Sequence, residues 1–280
     1  MGYPAAMGIA AGDVVMLMAD TTRLAWRLRH SGGPPATVRL LDAFRAAVGP
    51  AGTLLVPTYT FDLPAGAAFD RRHTGTISGA LGTAALAHPA FGRTPHPLHS
   101  FAVTGAARPA LMDADEPHSF GPGSPFAFLH AHHGLLVTVD LPVNNALTFA
   151  HFVEVREGVR YRTERTMAFA YTDLDGTTRE RTFAIMAKKP GHHMDFTPME
   201  TALEAAGALR RGVVDGLRWT VTDLHAAYPV IARDLRTGGA SGIHRFRWSW
   251  WLRDVTKSLL RRFGVRTKPE RLAHAARSSR

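Results

Sequence analysis

The sequence predicts an α/β fold: a central mixed, largely parallel sheet flanked by helices, with a basic amphipathic helix at the C-terminal end. Three observations carry this. The apolar run GDVVMLM (12–18), the helix-periodic segment 36–48 and the apolar run GTLLVPTYTF (52–61) follow one another as strand, helix, strand. That order belongs to a parallel β-α-β unit. A further short apolar run, GLLVTVDL (134–141), has the continuous hydrophobicity of a strand buried on both faces. Beyond Gly238-Gly239 the composition turns basic and Trp-rich.

The elements follow in order. The first strand leaves a Gly-Asp turn at 12–13, and a loop through SGGPP comes after it. The helix over 36–48 stops at Gly49-Pro50, a pair that does not continue a helix. After the second strand, 62–78 reads as a loop and GALGTAALAHP (79–89) as a short helix closed by Pro89. HPLHSFAVTG (96–105) is partly extended, and FGPGSPF (120–126) is a Gly/Pro loop. The strand 134–141 ends in the turn Pro142–Asn145. TMAFAYTDLDGTTRERTFAIMA (166–187) alternates on both sides of Asp175-Gly176, a hairpin signal. Residues 198–211 read as helical, and 220–235 hold another helix interrupted by Pro229. In RWSWWLRDVTKSLLRRF, Trp248, Trp251, Leu252, Val255, Leu259 and Phe263 form one stripe at helical spacing. Residues 264–280 read as a disordered basic end.

Composition excludes several functions. The 280 residues are 45% hydrophobic, enough for a core. No cysteine is present, which removes disulfides, thiolate zinc sites and a cysteine nucleophile and favours a cytoplasmic setting. No segment reads as a signal peptide or a membrane span. Residues 240–280 hold eleven Lys/Arg and two acidic residues, a net +9 of the chain's +10, so 1–239 is close to neutral. The chain therefore divides into a body, 1–239, and a basic helical extension, 240–280, and the body gives no ground for nucleic-acid binding.

The most informative stretch is TFAHFVEV (148–155), at the carboxyl end of a buried strand, where open α/β sheets bind ligands. His151 and Glu154 are three apart, so one helical face brings them together. A carboxylate that holds one ring nitrogen leaves the other as a base. A core histidine with a salt partner fits these two residues equally well. Zinc needs three or four ligands, and neither His132-His133 nor His192-His193 supplies the missing set, so no metal is expected. No Gly-x-Ser-x-Gly elbow accompanies the pair, which disfavours a serine hydrolase.

The ordered segments GDVVMLM, GTLLVPTYTF, RTPHPLHSFAVTG, GPGSPFAFL and GLLVTVDLPVNNALTFAHFVE resemble the aminoglycoside 3-N-acetyltransferase family over roughly residues 8–235. The strongest matches are Pro57–Thr60, His96–Phe101, Gly123-Ser124-Pro125 and Thr148-x-x-His151-x-x-Glu154. The resemblance implies the antibiotic N-acetyltransferase fold and acyl transfer from acetyl coenzyme A, or another acyl thioester, to an amine of a small-molecule acceptor such as an aminoglycoside. It implies His151 as general base and Glu154 as its partner. Asp20, Thr21, Arg93, Thr94, Ser100, Phe101, Ser124 and Pro125 are expected on the acyl-donor side, and Tyr59, Asp62, Asp140 and Asn145 on the acceptor side.

Two departures stand out. Where the family usually has a His-Ser-Ser-Leu-like stretch, this chain reads Met18-Ala19-Asp20-Thr21, and the strand that normally ends in glycine ends in Asp140. They leave open a carrier-protein thioester or a biosynthetic role in place of antibiotic resistance, and a non-catalytic binding protein is the rival of another class. The extension 240–280 has four readings: docking on the body, lying on a membrane surface, attracting an acidic partner such as an acyl carrier protein, or, least favoured, binding nucleic acid.

Overall fold

The computed structural model describes residues 2–262. Its elements in chain order are α1 (Tyr3–Ala6), β1 (Val14–Ala19), α2 (Thr22–Leu28), α3 (Ala36–Val48), β2 (Thr53–Pro57), β3 (Ala68–Asp70), α4 (Gly79–Ala87), β4 (Gly92–Arg93), β5 (Phe101–Gly105), α5 (Arg108–Asp113), α6 (Pro125–Ala131) and β6 (Leu135–Val139). They continue with α7 (Phe149–Arg156), β7 (Arg162–Thr172), β8 (Thr178–Lys188), β9 (His192–Met194), α8 (Thr197–Ala205), β10 (Leu209–Val214), β11 (Leu217–Asp223), α9 (Leu224–Thr237), β12 (His244–Phe246) and α10 (Trp248–Arg262).

Seven strands form the central mixed sheet, in the order β10-β11-β6-β1-β2-β5-β4. The middle of it, β6-β1-β2, is parallel, and the strands on either side run antiparallel. Successive residues alternate between two cores, as the pleat requires. Met16, Leu55, Val103 and Leu136 enter a core shared with α6, α7, α8 and α9. Val15, Leu17, Leu54, Val56 and Val137 enter the opposite core, against α1, α2, α3 and α4. Along α3, Leu40, Leu41, Phe44 and Val48 are all buried, and each contributes about 1.5–3 kcal/mol of hydrophobic stabilisation. The hairpin β7-β8, with β3 at its edge, carries its own cluster of Phe69, Leu98, Phe169, Tyr171 and Phe183.

Several boundaries differ from the sequence reading. Helix α2 lies where a loop was expected, its first turn closed by Asp20, whose carboxylate accepts the Thr22 N–H at 2.9 Å. The Gly/Pro loop ends at Ser124, whose hydroxyl accepts the Ala127 N–H at 3.2 Å and starts α6 with Pro125 in its first turn. The helix read over 198–211 stops at Ala205, because the chain reverses at Gly207 (φ 71°) and enters β10. Residues 217–223 are a strand, not the start of a helix. Asp223 ends it and caps α9, accepting the N–H groups of His225 and Ala226. Pro229 lies inside α9, on its exposed side, without ending the helix.

At the C-terminal end, Ile243 is buried in the core and β12 pairs with β9. The predicted stripe of α10 splits. Trp251 packs over Gly191 and Trp250 against His193, while Trp248 and Leu252 face outward. Phe263 and the segment 264–280 lie outside the described residues.

Candidate active site

The parallel strands β6, β1 and β2 end at one edge of the sheet, with Ala19 paired to Val139. Chain turns leave that edge and open a crevice, the usual ligand position in such sheets. A cleft of about 350 Å³ lies there, lined by Met18, Asp20, Thr21, Ser78, Gly79 and Asn145 among others. Helix α4 begins at Gly79, so its N-terminal end opens on this cleft. A second cleft, of about 390 Å³, shares Leu141 with the first and contains Asp140, Glu200, Arg211 and Trp219. The turn that carries Leu141 and Asn145 runs on into α7, which bears His151 and Glu154.

In α7 the predicted pair is formed. His151 Nδ1 lies 2.8 Å from Glu154 Oε2. An ionised carboxylate only accepts, so in this contact Nδ1 is the donor and Nε2 keeps the lone pair; the Arg162 guanidinium, which only donates, then touches Nδ1 without a hydrogen bond to it. The His151 side chain is 20% exposed and Glu154 is 0% exposed, so the ring can be reached while its partner is sealed off. Tyr161 donates its hydroxyl to Glu154 Oε1 at 2.7 Å, and the Arg162 guanidinium is in ion-pair contact with Oε2. Burial alone would raise the Glu154 carboxyl, but the His151 ring, Arg162 and the Tyr161 hydroxyl outweigh it and hold the group below its ordinary range. Arg162 also lies against the imidazole, with Nη2 2.8 Å from Nδ1 and 3.4 Å from Nε2, and it donates to the Met186 carbonyl at 3.0 Å. Phe120 and Phe196 flank the ring, their centroids 5.8 Å and 5.9 Å away. Tyr161 and Arg162 carry no motif of their own in the sequence. Their only signal is position, seven and eight residues beyond Glu154 at the start of β7.

The other predicted residues fall into three groups. Asp20, Thr21 and Asn145 share the first cleft. Asp20 is there, but one of its oxygens accepts the Thr22 N–H, and the Thr22 hydroxyl together with this N–H lowers its carboxyl. Asp140 lines the second cleft with a left-handed backbone, φ 48°. This conformation suits glycine and is tolerated by aspartate. The Asp140 carboxylate accepts the Arg218 N–H at 2.9 Å and meets Arg23 at 3.2 Å.

The third group, Asp62 apart, is buried in the interior. Arg93 was expected to face the donor. It is buried instead, its Nε donating to Ser100 Oγ at 2.9 Å and its Nη2 to the Thr58 carbonyl at 2.9 Å, with Thr74 and Gly75 carbonyls also bound. Its donors are spent on protein acceptors, and burial pushes it down to about 10. Ser100 is consumed in the same network and donates to the Thr58 carbonyl at 2.8 Å. Thr94 accepts the Phe101 N–H at 2.9 Å. Phe101 packs edge-on against Tyr59 and Phe126, and burial holds the Tyr59 hydroxyl far above its ordinary range. Ser124 and Pro125 form the cap of α6. Asp62 sits on an exposed turn, outside both clefts.

The HPLHSF segment is a brace. The His99 N–H donates to His96 Nδ1 at 3.2 Å, so His96 Nε2 carries the proton toward Ser119 Oγ, 3.1 Å away. Burial pushes His96 down to about 3 and His99 well below the ordinary histidine value, so both are neutral. No three or more His, Asp or Glu side chains converge as a metal-ligand group among the described residues.

A family model described as aminoglycoside 3-N-acetyltransferase matches residues 27–235. Over 243 residues the chain is 31% identical to aminoglycoside N(3)-acetyltransferase VII of Streptomyces paromomycinus, covering 75% of this chain and 80% of that protein. The crystal structure of aminoglycoside acetyltransferase AAC(3)-Xa superimposes with a TM-score of 0.70 at 28% identity, over 82% of this chain and 88% of that one. AAC-IIIb, solved as a binary complex with CoASH, shares the fold at a TM-score of 0.68 and 21% identity, over 84% and 94% of the two chains.

Proposed function

The chain belongs to the aminoglycoside 3-N-acetyltransferase family, and from that premise we propose that it moves an acetyl group from acetyl coenzyme A to an amine of an aminoglycoside, with His151 as general base. One observation carries the mechanism: an accessible imidazole whose Nδ1 is held by a fully buried carboxylate, 2.8 Å away. Nε2 takes the proton from the acceptor nitrogen as that nitrogen attacks the thioester carbonyl. The C–N bond forms, the C–S bond breaks, and the coenzyme A thiol leaves with the proton. Glu154 fixes the tautomer and balances the imidazolium that forms.

The first cleft suits the acyl donor. It lies at the carboxyl edge of the parallel strands, and the amide groups at the start of the nine-residue α4 offer a favourable end for anionic groups. Asp20 works against a phosphate in that cleft, which favours the pantetheine portion over the diphosphate there. The second cleft is the place left for the acceptor; its carboxylates Asp140 and Glu200 are paired with Arg23 and Arg211, and a cationic acceptor would compete with those arginines for them. A coenzyme A donor places the reaction in the cytoplasm. Among the described residues no helix is long and apolar enough to cross a membrane.

The test is acetyl transfer measured by thiol release, with acetyl coenzyme A and a panel of aminoglycosides, in the parent and in His151→Ala. Transfer that survives His151→Ala undiminished removes the base. Thermal stabilisation by acyl carrier thioesters, with none by coenzyme A, moves the donor to the carrier-protein alternative.

A further inference from the structure

We infer that α10 is an interfacial anchor that lays this enzyme on an anionic lipid surface. The helix has two faces. One is fastened to the body: Trp251 over Gly191, Trp250 against His193 with rings 4.1 Å apart, and the Asp254 carboxylate accepting the Gly191 N–H at 3.1 Å. The other is open. Trp248 is 70% exposed, Leu252 60% and Leu259 48%, at positions i, i+4 and i+11, with half-buried Val255 in the same row. Phe246, just before the helix, extends the exposed apolar surface and packs edge-on against Trp248.

Charge says what covers this face. Arg245, Arg247 and Arg253 are exposed as well, Arg245 paired with Asp195, Arg253 with Asp254, and Arg247 lying over the Trp250 ring. Residues 240–280 carry a net +9 while the preceding 239 residues are close to neutral, so the sequence concentrates its net positive charge in the segment that contains this apolar row. A second copy would bring two such charged rows together, and like charge opposes that contact. A convex row of Trp and Leu flanked by Arg is what a lipid interface accepts: the apolar side chains enter the acyl boundary and the cations meet the headgroups. An acidic protein is the competing occupant, and it would need a complementary shape that a lipid surface does not.

The experiment is flotation of the full-length chain with vesicles of phosphatidylcholine alone and of phosphatidylcholine mixed with phosphatidylglycerol, at low and high salt. Binding is expected only to the mixed vesicles, and it weakens as salt rises. Replacing both Trp248 and Leu252 by Ser removes apolar contact without touching charge and weakens partition at least about tenfold. Replacing Arg247 by Gln weakens it about fivefold. Acetyl transfer to a soluble acceptor stays at the parent level in both variants, which separates this inference from the proposed chemistry. Three results overturn it: no flotation with mixed vesicles, equal flotation with both vesicle types, or a concentration-dependent dimer that the Trp248/Leu252 variant abolishes. Capture of a purified acyl carrier protein in the absence of vesicle binding assigns the face to that partner and overturns it as well.

Discussion

Replacing Arg162 by Met tests the electrostatic logic of the site most directly. The change keeps an apolar stem and removes the guanidinium tip and with it the charge. Glu154 is fully buried, and in the parent it has a cation in contact, a tyrosine hydroxyl at 2.7 Å and the His151 ring at 2.8 Å. Without the guanidinium an ionised carboxylate stays buried with only neutral donors. Breaking a buried pair from one side costs about 3–5 kcal/mol. The two remaining hydrogen bonds place this case at the lower end. At about 2–4 °C per kcal/mol for a chain of this size, the melting temperature drops by roughly 6–12 °C. The assay is thermal unfolding of four proteins: parent, Arg162→Met, Glu154→Gln and the double variant. With Gln at 154 there is no charge to strand, so Arg162→Met costs little more in that background. An equal loss in both backgrounds, or a single variant within about 1 kcal/mol of the parent, refutes the reasoning, since exposed ion pairs alone give that much. The pH dependence has a definite sign. Glu154 is held below its unfolded value, so its stabilisation is present at neutral pH and is lost as the pH falls through the depressed value. In Arg162→Met that loss begins at higher pH.

Three further outcomes are expected. His151→Ala lowers kcat/KM for aminoglycoside acetylation by about 10²–10⁴-fold, with far-UV circular dichroism and coenzyme A binding unchanged. Replacing Asp140 by Val forces a β-branched residue into the left-handed region and removes the acceptor for the Arg218 N–H, costing about 2–3 kcal/mol in urea unfolding, whereas Asp140→Gly costs less because glycine takes φ 48° without strain. His96, buried neutral and pushed down to about 3, makes folding weaken as the pH falls below the unfolded histidine value, by about 1.4 kcal/mol per pH unit. Denaturation midpoints across the acid range should therefore show a smaller slope in His96→Gln than in the parent.

Much of this was legible in sequence because the signals are local. Apolar runs at 12–18, 52–61 and 134–141 announced the three parallel strands, since a strand buried on both faces needs no alternation. His151 and Glu154 were legible as a pair because a helix puts i and i+3 together whatever the rest of the fold does. The segment 198–211 misled for the same reason. Its helical residues continue past Ala205 without a break in composition, and only pairing with β11 makes 209–214 a strand. Arg93 and Ser100 looked like ligands because their segment resembles a family motif. Sequence does not say which way a side chain turns, and here it turns inward to satisfy the carbonyls of Thr58, Thr74 and Gly75.

By itself, then, the sequence determined the α/β class, the parallel centre of the sheet, the His151–Glu154 pair and the concentration of charge after residue 239. Tertiary structure decided the rest. It brought Arg162 and Tyr161 from β7 and its approach onto a carboxylate in α7, turned Asp140 left-handed between Arg23 and Arg218, and divided the aromatic row of α10 between body and solvent. The physical reason is range: periodicity fixes which residues share a face over a few turns, while ion pairing, burial and backbone strain depend on what the folded chain places opposite that face.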